Sequence, residues 1–304
     1  MSGYRLAQGG ALLDRSRPLR FGFDGRTLGG FAGDTLASAL LASGERLIGR
    51  SFKYHRPRGL VAAGPEEPNG LVTLGEGARR EPNSNATMVE LFEGLVATSQ
   101  NRWPSLRFDA MAAGGLMGPL LGAGFYYKTF KGPTARSWML YERLIRRAAG
   151  LGRGTFQPDP DRYDKASLFC DVLVVGAGPA GIMAALTTAR AGARVVLADE
   201  KAWLGGSLLG ERRSVDDVVG DGWTRGRLAE LTALPDVTVM RRTTVWGYYD
   251  GNAMAAVERV ADHLPVPPEG VARQRQWTIR ARRVVIATGR WSGRSSFPAT
   301  ICRA

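Results

Sequence analysis

Cysteine is almost absent from this sequence, with only Cys170 and Cys302 among its 304 residues. Two cysteines cannot build a disulfide framework, a zinc site or a cysteine-ligated iron–sulfur cluster. We therefore expect reduced thiols, a cytoplasmic location and no metal site. Histidine is equally rare, since only His55 and His263 occur. We expect His55 to be structural, and His263 has no recognisable partner in the sequence.

The sequence also lacks the long apolar segments of secreted and membrane proteins. Its first ten residues, MSGYRLAQGG, do not contain the apolar core of a secretory signal. Residues 110–127 carry no charge and approach the length of a membrane span, but their five glycines and one proline make a poor lipid-exposed helix. The sequence therefore predicts a buried glycine-rich segment there and a soluble protein that does not cross a membrane.

Acidic residues are too few to balance the basic ones, since 41 Lys and Arg against 28 Asp and Glu leave a net charge of +13. This excess is spread along the chain. It is neither interleaved with aromatic residues nor confined to one helix face, as is typical of nucleic-acid-binding proteins. We expect no nucleic-acid partner, and the charge instead suits an anionic cofactor or an acidic protein partner.

The densest basic cluster is RSFKYHRPRG at residues 50–59, where five of the ten side chains are Arg, Lys or His. Two interpretations remain open at this point. The segment is either a cationic surface that touches a flavin, a nucleotide phosphate or a neighbouring subunit, or a loop that its own hydrogen bonds and ion pairs hold in place.

The residues around this cluster have the pattern of a small α+β domain. An apolar strand at residues 19–23 precedes Asp24-Gly25, which is a strong signal for a tight turn between two strands. The remaining predicted elements are a short helix that Asp34 caps and Gly44 closes, and strands at residues 70–74 and 86–92.

Residues 102–150 differ from this block because they are rich in aromatic residues and glycine. They end in a helical pattern whose apolar face consists of Trp138, Tyr141, Leu144, Ile145 and Ala148. A polar, proline-containing stretch at residues 152–167 is typical of a linker. We therefore divide the chain into a first domain at residues 1–101, a helical and aromatic connector with its linker at 102–167, and a second domain at 168–304.

The stretch CDVLVVGAGPAG, which begins at Cys170, carries the clearest chemistry. Its unbroken apolar run at residues 172–175 is typical of a buried parallel strand. Gly176, Gly178 and Gly181 then form the pattern G-x-G-x-x-G. In this pattern the first glycine permits a tight turn, the second lets the backbone approach a diphosphate, and the third allows close packing of the following helix.

The predicted helix at residues 179–191 begins with Pro179 and Ala180. It would direct its first N–H groups and the positive end of its dipole at the diphosphate. The strand after it ends at Asp199, whose carboxylate can accept hydrogen bonds from the ribose hydroxyls of an adenosine. Its negative charge would repel a 2′-phosphate, which favours FAD or NAD over NADP. The neighbouring Glu200 leaves open which of the two carboxylates has this role.

Two further segments fit a dinucleotide-binding domain. LGGS, which contains Gly206, follows Asp199, and RRVVIATGR is another apolar strand that ends with Thr288 and Gly289. Together they resemble the glutathione-reductase-like flavoproteins, in which an Ala-Thr-Gly strand returns beside the nucleotide. The second domain is therefore predicted to be an incomplete α/β Rossmann-like domain. No Cys-x-x-x-x-Cys pair follows LGG, so the disulfide-reductase branch of that class is not expected.

Six segments are more specific than any single motif: RSFKYHRPRG, EEPNGLV, QNRWPSLRFD, GFYYKTF, IRRAAGLG and CDVLVVGAGPAG. Together they resemble the α subunit of heterotetrameric sarcosine oxidase, over residues 16–289. This resemblance implies a ferredoxin-like β-grasp fold for the first domain, whose relatives hold an iron–sulfur cluster with closely spaced cysteines in the loop after the short helix. Residues 50–59 fall in that loop and include no cysteine, so no iron–sulfur cluster is expected.

The resemblance also implies a function. The complete enzyme oxidises the secondary amine of sarcosine to an imine, which becomes glycine and a one-carbon unit, and oxygen reoxidises the flavin to give peroxide. By resemblance, the partners are β, γ and δ subunits and folate, the amine-oxidising FAD belongs to the β subunit, FMN lies at the α/β boundary, and the α subunit carries an NAD. No residue of this chain is assigned a catalytic role, because the hydride acceptor is expected in another chain.

Other functions remain open. A related amine or opine dehydrogenase α subunit has the same domain order, although cluster cysteines would be expected there. The chain could also be a non-catalytic nucleotide-binding scaffold for a flavoprotein partner. Bound flavin would give the purified protein a yellow colour, whereas bound NAD would not.

The end of the sequence departs from the family pattern. Family α subunits typically continue after Ala-Thr-Gly with a segment like ALERPLVFPGNDLPG, whereas residues 290–304 read RWSGRSSFPATICRA. GC-rich codons for the expected peptide give such a tail when they are read one nucleotide out of register. We therefore hypothesise a frameshift at Arg290 and a truncated product. We expect such a chain to expose apolar surface and to show no sarcosine oxidase activity by itself.

Overall fold

The computed structural model describes residues 4–10, 12–120, 124, 132, 134, 137–210 and 214–289. The chain forms two compact units. The first contains Asp14–Asp159 together with Tyr4, and the second begins at Pro160 and also includes Arg5–Leu13. The first unit therefore includes residues 102–159, which the sequence presents as a separate connector.

The first unit is built on a five-stranded mixed sheet. Its strands are β1 (Asp14–Phe23), β2 (Arg26–Ala32), β5 (Leu71–Leu74), β6 (Glu81–Asn85) and β7 (Leu95–Ser99), in the order β2-β1-β7-β5-β6. β1 pairs antiparallel with β2 and parallel with β7. The predicted turn between β1 and β2 is present, and both Asp24 and Gly25 have positive φ, as a tight hairpin turn of this sequence requires. Strands β3 (Gly49–Arg50) and β4 (Pro57–Arg58) form a separate two-stranded pair.

A short helix, α1 (Leu36–Ala42), covers one face of this sheet and forms the core of the unit. Its residues Leu36 and Leu40 are fully buried against Phe21, Phe23 and Val72. The predicted N-cap at Asp34 is wrong by one residue, because Thr35 caps the helix in a capping box with Ser38. The Asp34 carboxylate instead accepts hydrogen bonds from the Ser38 hydroxyl and the Phe31 N–H.

The predicted strand at residues 86–92 is also wrong, because this segment belongs to no strand of the sheet. The carbonyls of Ala86 and Val89 accept hydrogen bonds from the N–H groups of Ala37 and Leu36. The first N–H groups of a helix have no partner within the helix. The segment therefore satisfies the first turn of α1, and its backbone groups are not free for a strand ladder.

The glycine-rich segment forms a 3₁₀ helix, Ala110–Leu120, and it is followed by helix α2 (Trp138–Ala148). Residues 110–116 are mostly exposed, with Leu116 at 87%. The prediction of a buried segment is therefore wrong for this part, and most of residues 121–127 lie outside the described residues.

The predicted apolar face of α2 is only partly buried. Tyr141 and Ile145 are half-buried and Trp138 is exposed. The side chains of Leu144 and Ala148 lie outside the described ones. In the described ranges, no helix has the length and apolar character needed to cross a bilayer.

The second unit is an α/β domain with a six-stranded sheet. Its strands are β8 (Tyr163–Val175), β9 (Val195–Ala198), β12 (Val237–Met240), β13 (Thr243–Tyr249), β14 (Ala253–Arg259) and β15 (Gln274–Ile286), in the order β12-β9-β8-β15-β14-β13. The first four strands in that order are parallel, and β14 and β13 are antiparallel to their neighbours. The remaining elements are helices α3 (Pro179–Arg190) and α4 (Gly220–Thr232) and a short pair, β10 (Ser214–Val215) and β11 (Val218–Val219).

Apolar side chains are buried on both faces of this sheet. On one face, Ile182 and Leu186 of α3 pack against Val174 of β8 and Leu197 of β9. Trp223 of α4 belongs to the same cluster. The other face buries a second cluster, which consists of Cys170, Leu173, Val196, Ala198, Met240, Met254, Ala256, Ile279 and Ala281. Burial raises the pKa of the Cys170 thiol to about 11.

Strand β8 begins at Tyr163, so the predicted linker at residues 152–167 ends earlier than expected. The strand pairs with β15 along almost its whole length, from Tyr163 opposite Gln274 to Val175 opposite Ile286. Its first half alternates between exposed and half-buried residues. The exposed residues of this first half are largely polar, so the sequence there resembles a linker and does not indicate where the strand begins.

A salt bridge fastens the start of the βαβ unit. Asp171 in β8 accepts hydrogen bonds from the guanidinium of Arg194 at 3.0 and 3.1 Å and from its backbone N–H at 3.0 Å. These bonds lower the pKa of the Asp171 carboxyl to about 2. Because the folded-state pKa is depressed, the stabilisation by this ion pair is present above the ordinary value of 3.8 and is lost as the pH falls towards 2.

We predict that Arg194→Gln raises the pKa of Asp171 towards its ordinary value, since the main hydrogen-bond donor is removed. NMR titration of the carboxyl carbon measures this change. Arg190→Gln is the matched control, because Arg190 pairs with Glu230 instead and its loss should leave Asp171 unchanged. An Asp171 pKa that stays near 2 in Arg194→Gln would contradict the assignment.

Candidate dinucleotide-binding site

The loop between β8 and α3 contains the three fingerprint glycines, and the fold itself requires two of them. Gly176 has a φ of +101°, and a Cβ there would lie 2.5 Å from the carbonyl oxygen of Ala287. A Cβ on Gly181 would lie 1.8 Å from the carbonyl oxygen of Gly176. Real Cβ atoms do not approach backbone oxygens this closely, so both positions exclude any side chain.

Gly178 differs from the other two glycines. Its φ of −73° and ψ of 179° are accessible to any residue, and no atom lies within 4 Å of a Cβ built on it. Neither steric crowding nor a positive φ therefore requires glycine at this position. The open space beside Gly178 is what a group that approaches the backbone closely, such as a diphosphate, needs.

The first turn of α3 faces this space with donors that the helix itself does not use. Gly178 is the N-cap and Pro179 occupies the first helical position without an N–H group. The Gly178 carbonyl accepts the first helical bond, from Ile182 at 2.9 Å. The N–H groups of Ala180 and Gly181 precede that bond, so they have no partner within the helix. With the helix dipole they form a site that fits an anion.

The carboxylate of Asp199 is tied to the same loop. It follows the last residue of β9, and its Oδ2 accepts a 2.6 Å hydrogen bond from the N–H of Ala177, inside the fingerprint. Its Oδ1 accepts a 2.8 Å hydrogen bond from the N–H of Lys201. Each carboxylate oxygen has a second lone pair, so the half-buried group can still accept a ribose hydroxyl. Between the two predicted carboxylates, the one that contacts the glycine loop is Asp199; the Glu200 carbonyl accepts a bond from Arg259.

The LGGS segment closes one side of the loop. Gly206 has a φ of +56°, and a Cβ there would lie 2.9 Å from the Cα of Gly178. The N–H of Gly205 donates to the Ala177 carbonyl at 2.8 Å, and its φ of +129° strongly favours glycine. Gly205 was not among the predicted residues. Its place beside Gly206 in a double glycine was the available signal.

The end of β15 closes the opposite side. The Ala287 N–H donates to the Val175 carbonyl at 2.8 Å, and the Cα of Thr288 lies 3.0 Å from the position of a Cβ on Gly176. Gly289 follows with a φ of +79°. The structure thus places all the predicted residues at the carboxyl ends of β8, β9 and β15. In open α/β sheets, ligands bind outside the carboxyl ends of the strands. The site lies at the point where the strand order reverses.

The basic segment at residues 50–59 divides into an inner and an outer part. The His55 Nδ1 lies 2.7 Å from Asp109 Oδ2, and both side chains are buried. The Arg50 guanidinium donates to the carbonyls of Leu106 and His55 and lies 3.7 Å from the same carboxylate. These contacts favour the structural interpretation for Arg50 and His55. The exposed part includes Arg56 and Arg58, and for these side chains the surface interpretation stays a prediction.

Comparisons with known proteins agree with this organisation. Residues 16–102 match the 2Fe-2S iron-sulfur cluster binding domain family, and residues 171–237 match the FAD dependent oxidoreductase family. Sarcosine oxidase subunit alpha of Rhizobium meliloti (strain 1021) is 55% identical over 95% of this chain and 29% of that relative. The same subunit of Corynebacterium sp. (strain P-1) is 40% identical over 92% of this chain and 24% of its own length.

The resemblance to sarcosine oxidase α subunits is confirmed. The chain spans less than a third of the length of these curated relatives. Among solved structures, L-proline dehydrogenase from P. horikoshii has a TM-score of 0.52 at 18% identity, over 92% of this chain and 43% of that one. This likeness concerns the fold alone. The predicted fold class, a ferredoxin-like domain followed by a Rossmann-like oxidoreductase domain, is confirmed as well.

The two matched families imply different cofactors, and the residues present fit only one of them. The second unit offers helix N–H donors beside a glycine loop and a carboxylate, and these groups suit a dinucleotide. The first unit has no cysteine anywhere in residues 16–102. In the described part of the chain, no three His, Cys, Asp or Glu side chains are grouped to hold a metal ion. A cysteine-ligated cluster therefore does not fit this domain.

We predict that Gly181→Ala lowers the free energy of unfolding by about 2 kcal/mol or more, because its methyl group would overlap the Gly176 carbonyl. Gly178→Ala, three residues away, meets no such overlap and changes only the N-cap of α3, so it should cost clearly less stability in the nucleotide-free protein. Urea denaturation followed by far-UV circular dichroism measures both. Equal stabilities for the two variants would contradict the packing described for Gly181.

Proposed function

We propose that the second unit binds the diphosphate of a dinucleotide, FAD or NAD, at the loop of residues 176–181, with the adenosine ribose on Asp199. The observation that carries this proposal is the open space at Gly178, beside the N–H groups of Ala180 and Gly181 that the helix leaves without a partner. The same loop is closely packed, because Gly176 and Gly181 lie against backbone atoms with no room for a side chain. A loop that its own packing holds in place would bind a diphosphate with little further ordering.

We further propose that the chain acts within a sarcosine oxidase type of oxidoreductase complex in the cytoplasm. The identity to sarcosine oxidase α subunits over nearly the whole chain supports this assignment. The partners would be β, γ and δ subunits, the substrate a small secondary amine, and FMN and folate would bind elsewhere in the complete enzyme. A bound flavin would supply the acceptor for the electrons of the amine C–H bond. The described residues of this chain hold the nucleotide and contribute no acid or base.

A related amine or opine dehydrogenase subunit and a non-catalytic nucleotide-binding scaffold are the alternatives. The first shares the dinucleotide site but differs in its amine substrate, so turnover of sarcosine by the assembled complex discriminates it. The second shares the site and lacks turnover. All three depend on the same loop, and the nucleotide released by denaturing the purified protein identifies whether that loop holds FAD or NAD.

We predict that Gly178→Ala weakens dinucleotide binding about 10- to 100-fold, since the methyl group would occupy the space that the diphosphate needs. Isothermal titration with FAD and with NAD measures the affinity. Gly226→Ala is the matched control, because Gly226 lies in α4 and a Cβ there also meets no atom within 4 Å. It should bind like the wild type and be slightly more stable, as expected for alanine in a helix. Unchanged affinity in Gly178→Ala would remove the basis of the proposal.

We predict that Asp199→Asn weakens binding of NAD or FAD and reduces discrimination against NADP. An asparagine oxygen can accept only one of the two backbone bonds that Asp199 accepts, and it lacks the charge that repels a 2′-phosphate. Titrations with NAD and NADP give the ratio of affinities. Glu200→Gln removes the neighbouring charge and should leave this ratio near the wild-type value. A change in Glu200→Gln alone would transfer the role to Glu200.

A further inference from the structure

The loop between β4 and β5, residues 59–70, contains no helix or strand. A loop of this kind has no helix or strand ladder to pair its backbone N–H groups, so those that are buried need other acceptors. At the centre of the loop lies Glu67, which is only 3% exposed. A carboxylate is rarely buried to this extent unless it is paired.

The partners of the Glu67 carboxylate are backbone N–H groups of its own loop. Oε2 accepts hydrogen bonds from Val61 and Ala62, both at 2.6 Å. Oε1 accepts a hydrogen bond from Asn69 at 2.7 Å. Hydrogen bonds to an ionised acceptor are short and strong. One side chain thus connects the beginning of the loop to its end.

Outside this centre, polar side chains fasten the loop to the following segment. The Asn85 amide donates to the carbonyls of Pro65 and Glu67, both at 3.3 Å. The buried Thr87 hydroxyl donates to the Gly64 carbonyl at 2.6 Å. The loop carbonyls therefore point outwards to Asn85 and Thr87, while N–H groups point inwards to Glu67. This division leaves the carboxylate as the one acceptor described for the three inward N–H groups.

We propose that Glu67 is the internal anion around which this loop closes, in a domain whose residues do not fit a cysteine-ligated cluster. The domain matches a family described as binding a 2Fe-2S cluster, yet residues 16–102 lack the cysteines that could hold one. The negative group at the centre of the loop is thus supplied by the chain itself. Glu67 is a positioning residue, and the domain keeps its loop ordered without a metal.

Amide hydrogen exchange of Glu67→Gln tests this role directly. The glutamine side chain of this variant would place an NH₂ group against at least one of the three inward N–H groups, so the amides of Val61, Ala62 and Asn69 should exchange about tenfold faster or more. Glu66→Gln is the matched control, because Glu66 is the adjacent glutamate and is exposed. These amides should exchange at the wild-type rate in the control. Wild-type protection in Glu67→Gln would overturn the proposal.

A second variant and a second measurement cover the case in which Glu67→Gln does not fold. Glu67→Asp keeps the charge but is one methylene shorter, so it should lose protection either at Val61 and Ala62 or at Asn69 while the other end stays protected. Wild-type protection at both ends in Glu67→Asp would contradict the proposal.

Anaerobic incubation of the wild-type protein with iron and sulfide should leave no iron bound after gel filtration. A retained cluster would equally overturn the proposal.

Discussion

The second unit depends on the close approach of α3 to the ends of β8 and β15. This approach brings Gly181 against the carbonyl of Gly176 and Gly176 against the carbonyl of Ala287, with no room for a side chain at either position. The helix is thereby aligned so that its first turn faces the carboxyl edge of the sheet. Asp199 then fixes the intervening loop through the Ala177 N–H. The geometry of the candidate site is therefore a consequence of backbone packing within the second unit.

The fingerprint residues could be predicted from the sequence because each has a local signature: glycine where the backbone is crowded, and a carboxylate at the end of an apolar strand. The elements that were missed depend on tertiary contacts. Residues 86–92 have strand-like composition, yet their carbonyls are used by the first turn of α1. The start of β8 is polar and becomes a strand only because β15 pairs with it. The described part of the glycine-rich segment was expected to be buried but is exposed, since low charge alone does not indicate what covers a segment.

In the first unit, part of the basic cluster is buried and pairs with an acidic side chain. Two members of the cluster at residues 50–59, Arg50 and His55, turn inwards and share the buried carboxylate of Asp109, which comes from a part of the chain more than fifty residues away. The sequence shows the positive charges but not which of them meet an acid. Glu67 is a similar case, because its partners are backbone groups that no residue pattern indicates. Buried polar contacts, whether to a distant acid or to backbone groups of the same loop, limited the prediction more than the apolar core did.

The burial of Cys170 has a consequence for chemical durability. Oxidants such as peroxide attack the thiolate form of cysteine. With the pKa of Cys170 raised to about 11 by its apolar surroundings, on the order of one molecule in ten thousand carries the thiolate at neutral pH. This sulfur would therefore be slow to react with an oxidant and would stay reduced over long periods. The core around it would not acquire the polar sulfenic or sulfonic groups that loosen apolar packing.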